Sequence, residues 1–323
     1  MASLLYYTFN EYLKKKFGEK VYRVSIDAGF DCPNRDGSLA KGGCTYCDEG
    51  SRAPGVNPTL SIREQMKTGM ERVYQRYNAK KFIAYFQAFT NTYAPTKVLR
   101  ERYYTALDFP EVVGLSVSTR PDTLEDSALN LLQEISMTHE AWLELGLQTI
   151  HDATQKKLNR WHTYAQFLDA LHRARQKSNI KICVHIILGL PGETREQMIE
   201  TMDAVASLPI DGIKIHLLHI IKNTVLHKVF LQGKIQVIEE SEYISLVCDF
   251  LEKLPSTVVI HRLTGEAEPA KMIAPLWVLE KAHVLQEIQN ELVRRKTFQG
   301  AHALPIRGNH ATLLNNVINH STL

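Results

Sequence analysis

The chain has 323 residues, of which 44% are hydrophobic and 23% charged, and its formal net charge is +3. These values are ordinary for a soluble globular protein, and the mild charge permits a nucleic-acid partner without arguing for one. Five cysteines are too few for a disulfide scaffold, no apolar run reaches transmembrane length, and the N-terminus lacks the order of a signal peptide. We therefore expect a cytoplasmic protein with reduced thiols and no membrane association.

Apolar runs of strand length alternate with segments of helical periodicity along most of the chain. After a short amphipathic helix over 3–16, strands are predicted over 21–27, 82–87, 112–119, 142–148, 182–188 and 213–218. Helices are predicted near 61–77, 97–107, 124–137, 164–177 and 195–207. Ser61 with Glu64, and Thr194 with Gln197, fit capping boxes at two helix starts. Six successive β–α units predict an α/β fold, a parallel sheet closed into a partial, TIM-like (β/α)6 barrel.

The pattern weakens after the sixth strand. A weaker strand is predicted over 258–263, and long helices are predicted near 239–254 and 276–296. We expect four regions: an N-terminal helical extension over 1–20, a core barrel over 21–220, a C-terminal α/β extension over 221–300, and an irregular tail over 301–323.

Nearly every predicted strand carries polar residues at alternate positions, on one of its two faces. A parallel strand that is covered on both faces is normally apolar throughout. The polar positions are Arg23, Ser25, Asp27, Tyr85, Gln87, Ser116, Ser118, Glu144, Gln148, His185, Lys214 and His216. Since successive side chains alternate faces, each set projects one way, toward the lumen of the barrel. A polar lumen predicts a ligand cavity; the alternative is a set of satisfied polar residues near strand ends.

Three cysteines, Cys32, Cys44 and Cys47, lie in one glycine-rich loop directly after the first predicted strand. Three thiolates give a 4Fe-4S cluster three ligands and leave one iron open to a small molecule, as the chemistry of S-adenosylmethionine (SAM) requires. The alternative is a structural zinc site completed by one histidine. Cys183 and Cys248 lie in apolar surroundings and are interpreted as core residues.

Several motifs together resemble the radical SAM superfamily, and most of all a bacterial group of Elongator-like radical SAM proteins. The first gap between the loop cysteines is longer than in the commonest family pattern. Similar segments also occur in the Elongator catalytic subunit and in oxygen-independent coproporphyrinogen oxidase. The motifs are Cys-Pro-Asn-Arg-Asp-Gly at 32–37, Cys-Thr-Tyr-Cys at 44–47, Ser-Thr-Arg-Pro-Asp at 118–122, Glu-Leu-Gly-Leu-Gln at 144–148, Leu-Asn-Arg-Trp-His-Thr at 158–163, Gly-Leu-Pro-Gly-Glu-Thr at 189–194, Lys-Ile-His-Leu-Leu-His at 214–219 and Ile-Ala-Pro-Leu-Trp at 273–277.

The resemblance implies a SAM pocket at the carboxyl ends of the strands. Residues in cofactor-binding positions are Gln87, Asn91, Thr92, Ser118, Arg120, Glu144, Gln148, Arg160 and Gly189. Among these, Arg160 is expected to pair with the cofactor carboxylate, because a guanidinium has the matching fork. His185, Lys214 and His216 are candidates for substrate contact or proton transfer, although lumen histidines are also common as structural residues.

The activity implied by this resemblance is reductive cleavage of SAM to methionine and a 5′-deoxyadenosyl radical, which abstracts hydrogen from a substrate in the lumen. Flavodoxin or ferredoxin is the implied electron donor. The Elongator likeness implies tRNA as partner, with the 5-substituent of a wobble uridine as the reacting group. Two alternatives stay open: a radical enzyme acting on a small metabolite or protein side chain, and a zinc-stabilised RNA-binding barrel without catalysis.

Overall fold

The computed structural model describes residues 4–48 and 52–303. Its helices are α1 Phe9–Phe17, α2 Ile62–Tyr77, α3 Thr96–Leu107, α4 Asp126–Ser136, α5 Asp152–Lys157, α6 Tyr164–Arg175, α7 Arg195–Ala206, α8 Val225–Leu231, α9 Glu240–Lys253 and α10 Lys281–Arg295. Its strands are β1 Val21–Ile26, β2 Lys81–Phe86, β3 Val112–Thr119, β4 Glu140–Gln148, β5 Ile180–Leu188, β6 Gly212–Leu217, β7 Ile220–Ile221, β8 Val259–Arg262 and β9 Met272–Ala274.

Seven strands form one parallel sheet in the order β1-β2-β3-β4-β5-β6-β8. The first six follow chain order, so each β–α unit adds one strand to the same edge, as the alternation of elements predicts. The seventh strand, β8, comes from the region that the sequence placed in the C-terminal extension. β7 and β9 form a separate antiparallel pair.

The sheet is strongly curled. The carboxylate of Glu144 on β4 lies 3.6 Å from the Arg23 guanidinium on β1 and 3.9 Å from the His261 ring on β8. In a flat sheet β1 and β4 lie about 14 Å apart, three strand spacings. Contacts with strands from both edges therefore require the sheet to wrap around its polar face, and the partial TIM-like barrel is confirmed.

The N-terminal helix covers the amino end of the barrel and is shorter than predicted. It begins at Phe9 rather than at residue 3, because Thr8 has extended backbone angles and forms a capping box with Glu11. The Tyr7 carbonyl accepts a hydrogen bond from the amide of Ile260 on β8, 2.8 Å away. The start of the chain therefore continues the sheet beyond β8 before α1 turns beneath the lumen.

The C-terminal region packs α9 against α10 outside the sheet. The helix predicted over 276–296 is divided: a short 3-10 helix, Leu276–Leu279, precedes α10. Most of the predicted irregular tail lies outside the described residues. None of the helices within the described ranges is long and apolar enough to span a membrane.

Candidate active site

All three loop cysteines line one cavity of about 430 Å³ at the carboxyl end of the sheet. Cys44 is buried, whereas Cys32 and Cys47 are partly exposed. Two side-chain N–H groups approach the Cys44 sulfur: Asn34 Nδ2 at 3.4 Å and Arg160 Nη1 at 3.7 Å. Donors of this kind stabilise thiolate charge and tune metal–sulfur centres.

The cysteine loop is fastened to the segment after α5. Asn34 Nδ2 donates to the carbonyls of Asn159 and Arg160, at 2.6 and 3.2 Å. In return, Asn159 Nδ2 donates to the carbonyl of Gly43 at 2.8 Å, and the amide of Thr45 donates to the carbonyl of Leu158 at 2.9 Å. These reciprocal bonds fix the loop at the rim of the cavity without help from regular secondary structure.

The donor set suits a multinuclear cluster. Three thiols point into a shared cavity, with N–H donors beside one of them, as cluster ligation requires. Across the described ranges, no group of three or more His, Cys, Asp or Glu side chains, these cysteines included, is arranged to hold a metal ion.

Arg160 lies between the cysteine loop and β4. Its guanidinium donates to the Gly146 carbonyl at 2.9 Å and to the Tyr46 hydroxyl at 3.1 Å. A Cβ at residue 146 would lie 2.5 Å from Arg160 Nη2, so a larger residue there would displace the Arg160 guanidinium. Gln148, two residues later, has φ of +74°, an uncommon conformation for a residue other than glycine. The end of β4 is therefore shaped by close contacts and backbone strain, as functional sites often are.

The floor of the cavity is organised around the fully buried carboxylate of Glu144. Ser116 Oγ donates to Oε1 at 2.6 Å, and Ser118 Oγ donates to Oε2 at 3.0 Å. His185 Nε2 donates to Oε2 at 2.8 Å, and Lys214 Nζ donates to the same oxygen. Four donors from β3, β5 and β6 thus satisfy most of the acceptor capacity of one carboxylate.

A second chain of hydrogen bonds joins Tyr85 to this cluster. Lys214 Nζ donates to the Tyr85 hydroxyl at 2.7 Å, and the Tyr85 hydroxyl lies 3.1 Å from Ser118 Oγ. The Ser118 proton is used toward Glu144, so the Tyr85 hydroxyl donates to Ser118. A route of hydrogen bonds therefore runs from Tyr85 through Ser118 to Glu144.

Burial and charge set the protonation of this cluster. Burial alone would raise the pKa of Glu144, but the charge of Lys214 and the hydrogen bond from His185 hold it well below its usual range. Burial lowers the pKa of Lys214 to about 7. The pKa of His185 is lowered to about 4, mainly by burial and secondly by the charge of Lys214. At neutral pH the cluster therefore holds an ionised carboxylate, a neutral imidazole and a lysine that exchanges its proton readily.

The structure brings most of the predicted site residues together. The cavity wall includes Gln87, Ser118, Arg120, Glu144, Gln148, Arg160, His185 and His216. Arg120 is tied to the Asp122 carboxylate by two hydrogen bonds and to the Arg160 carbonyl, which gives it a clear structural role. Lys214 lies just below the cavity floor through its contacts with Glu144 and Tyr85.

Three predicted cofactor-binding residues do not line this cavity. Asn91 donates to the Ser118 carbonyl and Thr92 bonds the Thr119 hydroxyl, so both hold the β2 and β3 ends together. Gly189 has φ of +78° and faces Ile238, at the turn that follows β5. Burial between neighbouring elements directs these residues away from the cavity.

Two site residues on β8 were missed from the sequence. The register shifts between β6 and β8, so that Ile213 pairs with Ile260 but Lys214 pairs with Arg262. Arg262 consequently lines the cavity, while His261 faces the Glu144 carboxylate from below. The polar residues His261 and Arg262 in the weaker strand predicted over 258–263 are the signal that could have placed this strand in the barrel.

The fold is a partial α/β barrel, and three cysteines lie at the carboxyl end of its parallel sheet. Residues 37–205 match the Radical SAM superfamily, and residues 210–294 match the Radical_SAM C-terminal domain. The chain belongs to the radical SAM superfamily of enzymes.

Relatives of similar length are found in bacteria. The chain is 44% identical to Bacillus subtilis YtqA over 296 residues, which covers 91% of this chain and 92% of that protein. It is 40% identical to Escherichia coli K12 YhcC over 266 residues, covering 82% and 85%. Mouse Elongator complex protein 3 is 29% identical over 164 residues, covering 50% of this chain and 29% of that protein.

A solved structure shares the fold. The Elp3 of the archaeon Methanocaldococcus infernus, with an N-terminal deletion, superposes with a TM-score of 0.62 at 16% identity. The match covers 86% of this chain and 64% of that structure. This likeness supports the partial barrel fold.

We expect Glu144→Gln to lower the free energy of unfolding by about 3–5 kcal/mol, because Lys214 and Arg23 would lose their shared buried counterion. Urea denaturation of the apoprotein under reducing conditions measures this change. The double variant Glu144→Gln/Lys214→Met should recover part of the loss, since it removes the stranded charge. Glu134→Gln is the matched control, because this exposed carboxylate pairs only at the surface with Arg100. Equal effects of the two single variants would contradict the role of Glu144.

Proposed function

We propose that Cys32, Cys44 and Cys47 hold a 4Fe-4S cluster and that SAM binds beside it in the same cavity. The observation that carries the proposal is that all three loop cysteines and Arg160 line one cavity above the Glu144 floor. When bound, the cluster and SAM would supply a 5′-deoxyadenosyl radical for hydrogen abstraction. An external donor of the flavodoxin or ferredoxin kind would deliver the electron.

The chain's own residues have separate roles in this proposal. Arg160 presents its guanidinium at the cavity wall, and its fork geometry matches a carboxylate such as that of SAM. Gln148 offers a side-chain amide at the end of β4. Below them, the Tyr85–Ser118–Glu144 route and Lys214 hold protons that a reacting substrate can exchange.

We expect Cys32→Ala, Cys44→Ala and Cys47→Ala each to abolish iron binding, because each variant removes one of the three thiolates that would hold the cluster. Cys183→Ala and Cys248→Ala are the controls, because both thiols are buried away from the cavity and burial raises the pKa of each. Iron content and the visible absorbance after anaerobic reconstitution measure the outcome. Stoichiometric zinc without iron would instead support the zinc-stabilised barrel.

We expect Arg160→Ala to weaken SAM binding at least about tenfold, the loss typical of a charge-assisted hydrogen bond. Equilibrium dialysis of radiolabelled SAM with the reconstituted protein measures this affinity. Iron content must be determined in the same sample, because Arg160 also contacts the Cys44 sulfur. Arg294→Ala, an exposed guanidinium paired with Glu291 on α10, is the control. Unchanged SAM affinity in Arg160→Ala would exclude its role in cofactor binding.

We further propose that the substrate is a tRNA and that the reacting group is the 5-substituent of a modified wobble uridine. Support comes from the likeness to Elongator complex protein 3 and from a polar lumen open at the carboxyl end of the sheet. Anticodon loops present unstacked bases, which a pocket can enclose after they leave the stack.

We expect loss of this gene to change at least one modified wobble uridine in total tRNA, because its precursor would accumulate. Mass spectrometry of tRNA nucleosides from deletion and complemented cells measures the change. Complementation with Lys214→Met should fail while the purified variant still binds SAM, since Lys214 lies at the floor rather than beside Arg160. Lys253→Met, at a surface ion pair, should complement fully. Identical wobble uridines in all strains would favour a small metabolite as substrate.

A further inference from the structure

Arg262 ends β8 and projects into the lumen opposite the cysteine loop. The register shift between β6 and β8 pairs it with Lys214, whose side chain also faces the lumen. Partners across parallel strands share one face of the sheet, so both cations point into the same space. Arg262 lines the cavity and is partly exposed there.

The carboxylates near Arg262 are engaged by other cations. Glu144 accepts from Lys214 and His185, and Glu266 pairs with Lys281. Within residues 4–48 and 52–303, Arg262 itself forms no ion pair or hydrogen bond. A guanidinium in a cleft keeps five donors and a full charge. This one is therefore available to a ligand.

Two neutral imidazoles flank the same space. His216 and His219 line the cavity, and His219 Nε2 is buried without a hydrogen-bond partner in the part of the chain that the structure describes. A Cβ at Gly265 would lie 2.4 Å from the His219 ring, so the backbone after β8 is packed directly against it. Burial, followed by the charge of Arg262, lowers the pKa of His219 to about 4. Neutral imidazoles add hydrogen-bond donors without adding charge, and leave Arg262 as the cation of this corner.

We propose that Arg262 binds an anionic group of the substrate and that this group is a carboxylate at the end of the reacting 5-substituent. The proposal rests on the tRNA substrate proposed above and makes it more specific. A carboxylate matches the planar fork of a guanidinium through two parallel hydrogen bonds. A phosphate of the RNA backbone is the other anionic group that Arg262 could bind. Arg262 lies inside the lumen beside Lys214, however, and a substituent on the wobble base reaches this position more readily than the RNA backbone does.

The test uses two anticodon stem-loops that differ only at the wobble base: one carries 5-carboxymethyluridine, and the other its methyl ester. The ester keeps every phosphate and nearly the same shape but lacks the negative charge. Fluorescence anisotropy with the reconstituted protein, without SAM, measures both dissociation constants. We expect the wild-type protein to prefer the acid at least about tenfold, the discrimination typical of a charged hydrogen-bonded pair.

Arg262→Gln should abolish this preference while leaving the affinity for the ester and for SAM unchanged. Arg262→Lys should keep a reduced preference, because it retains the charge but not the fork. Arg294→Gln, on the exposed face of α10, should behave as wild type.

Equal binding of acid and ester by the wild-type protein would overturn the assignment of Arg262 and leave the tRNA substrate standing. A preference that persists in Arg262→Gln would overturn it too. Similar losses for acid and ester in Arg262→Gln would identify a phosphate contact instead. Failure of both stem-loops to bind would overturn the tRNA substrate and this inference with it.

Discussion

A single buried carboxylate, that of Glu144, connects most of the barrel. It lies on the central strand and receives donors from β3, β5 and β6, while cations from β1 and β6 approach its oxygens. Such a charge is costly to bury unless it is paired and fully hydrogen-bonded. Because its partners come from strands that a flat sheet would hold far apart, the satisfaction of this carboxylate and the curvature of the sheet depend on each other.

The curled sheet gives the cavity two chemically different ends. The rim carries the three cysteine thiols and Arg160, fixed by reciprocal hydrogen bonds between the cysteine loop and the segment after α5. The floor carries the Glu144 cluster, which contains proton carriers but no sulfur. Under the proposed function, a ligand between them would meet radical chemistry from the rim and proton exchange from the floor. This separation suits a reaction in which hydrogen abstraction and proton transfer occur at different atoms of one substrate.

The C-terminal region contributes to the site rather than merely extending the core. β8 completes the sheet, and its register shift brings Arg262 beside Lys214 while His261 packs beneath the lumen. The His261 ring stacks on Phe9 of α1 with centroids 3.9 Å apart. Helix α1 and strand β8 therefore close the amino end of the barrel together.

The sequence by itself determined the alternation of elements, the cysteine loop and the polar parity of the strands. These are local properties: strand and helix periods, capping residues such as Ser61 and Thr194, and the spacing of thiols are readable from neighbouring positions. Only the tertiary structure decided which polar residues share the cavity. Asn91 and Thr92 have suitable chemistry but bond neighbouring strand ends, whereas Arg262 enters the lumen through a register shift between distant strands. Pairing register and sheet curvature arise from contacts between residues far apart in the chain, and no local pattern specifies them.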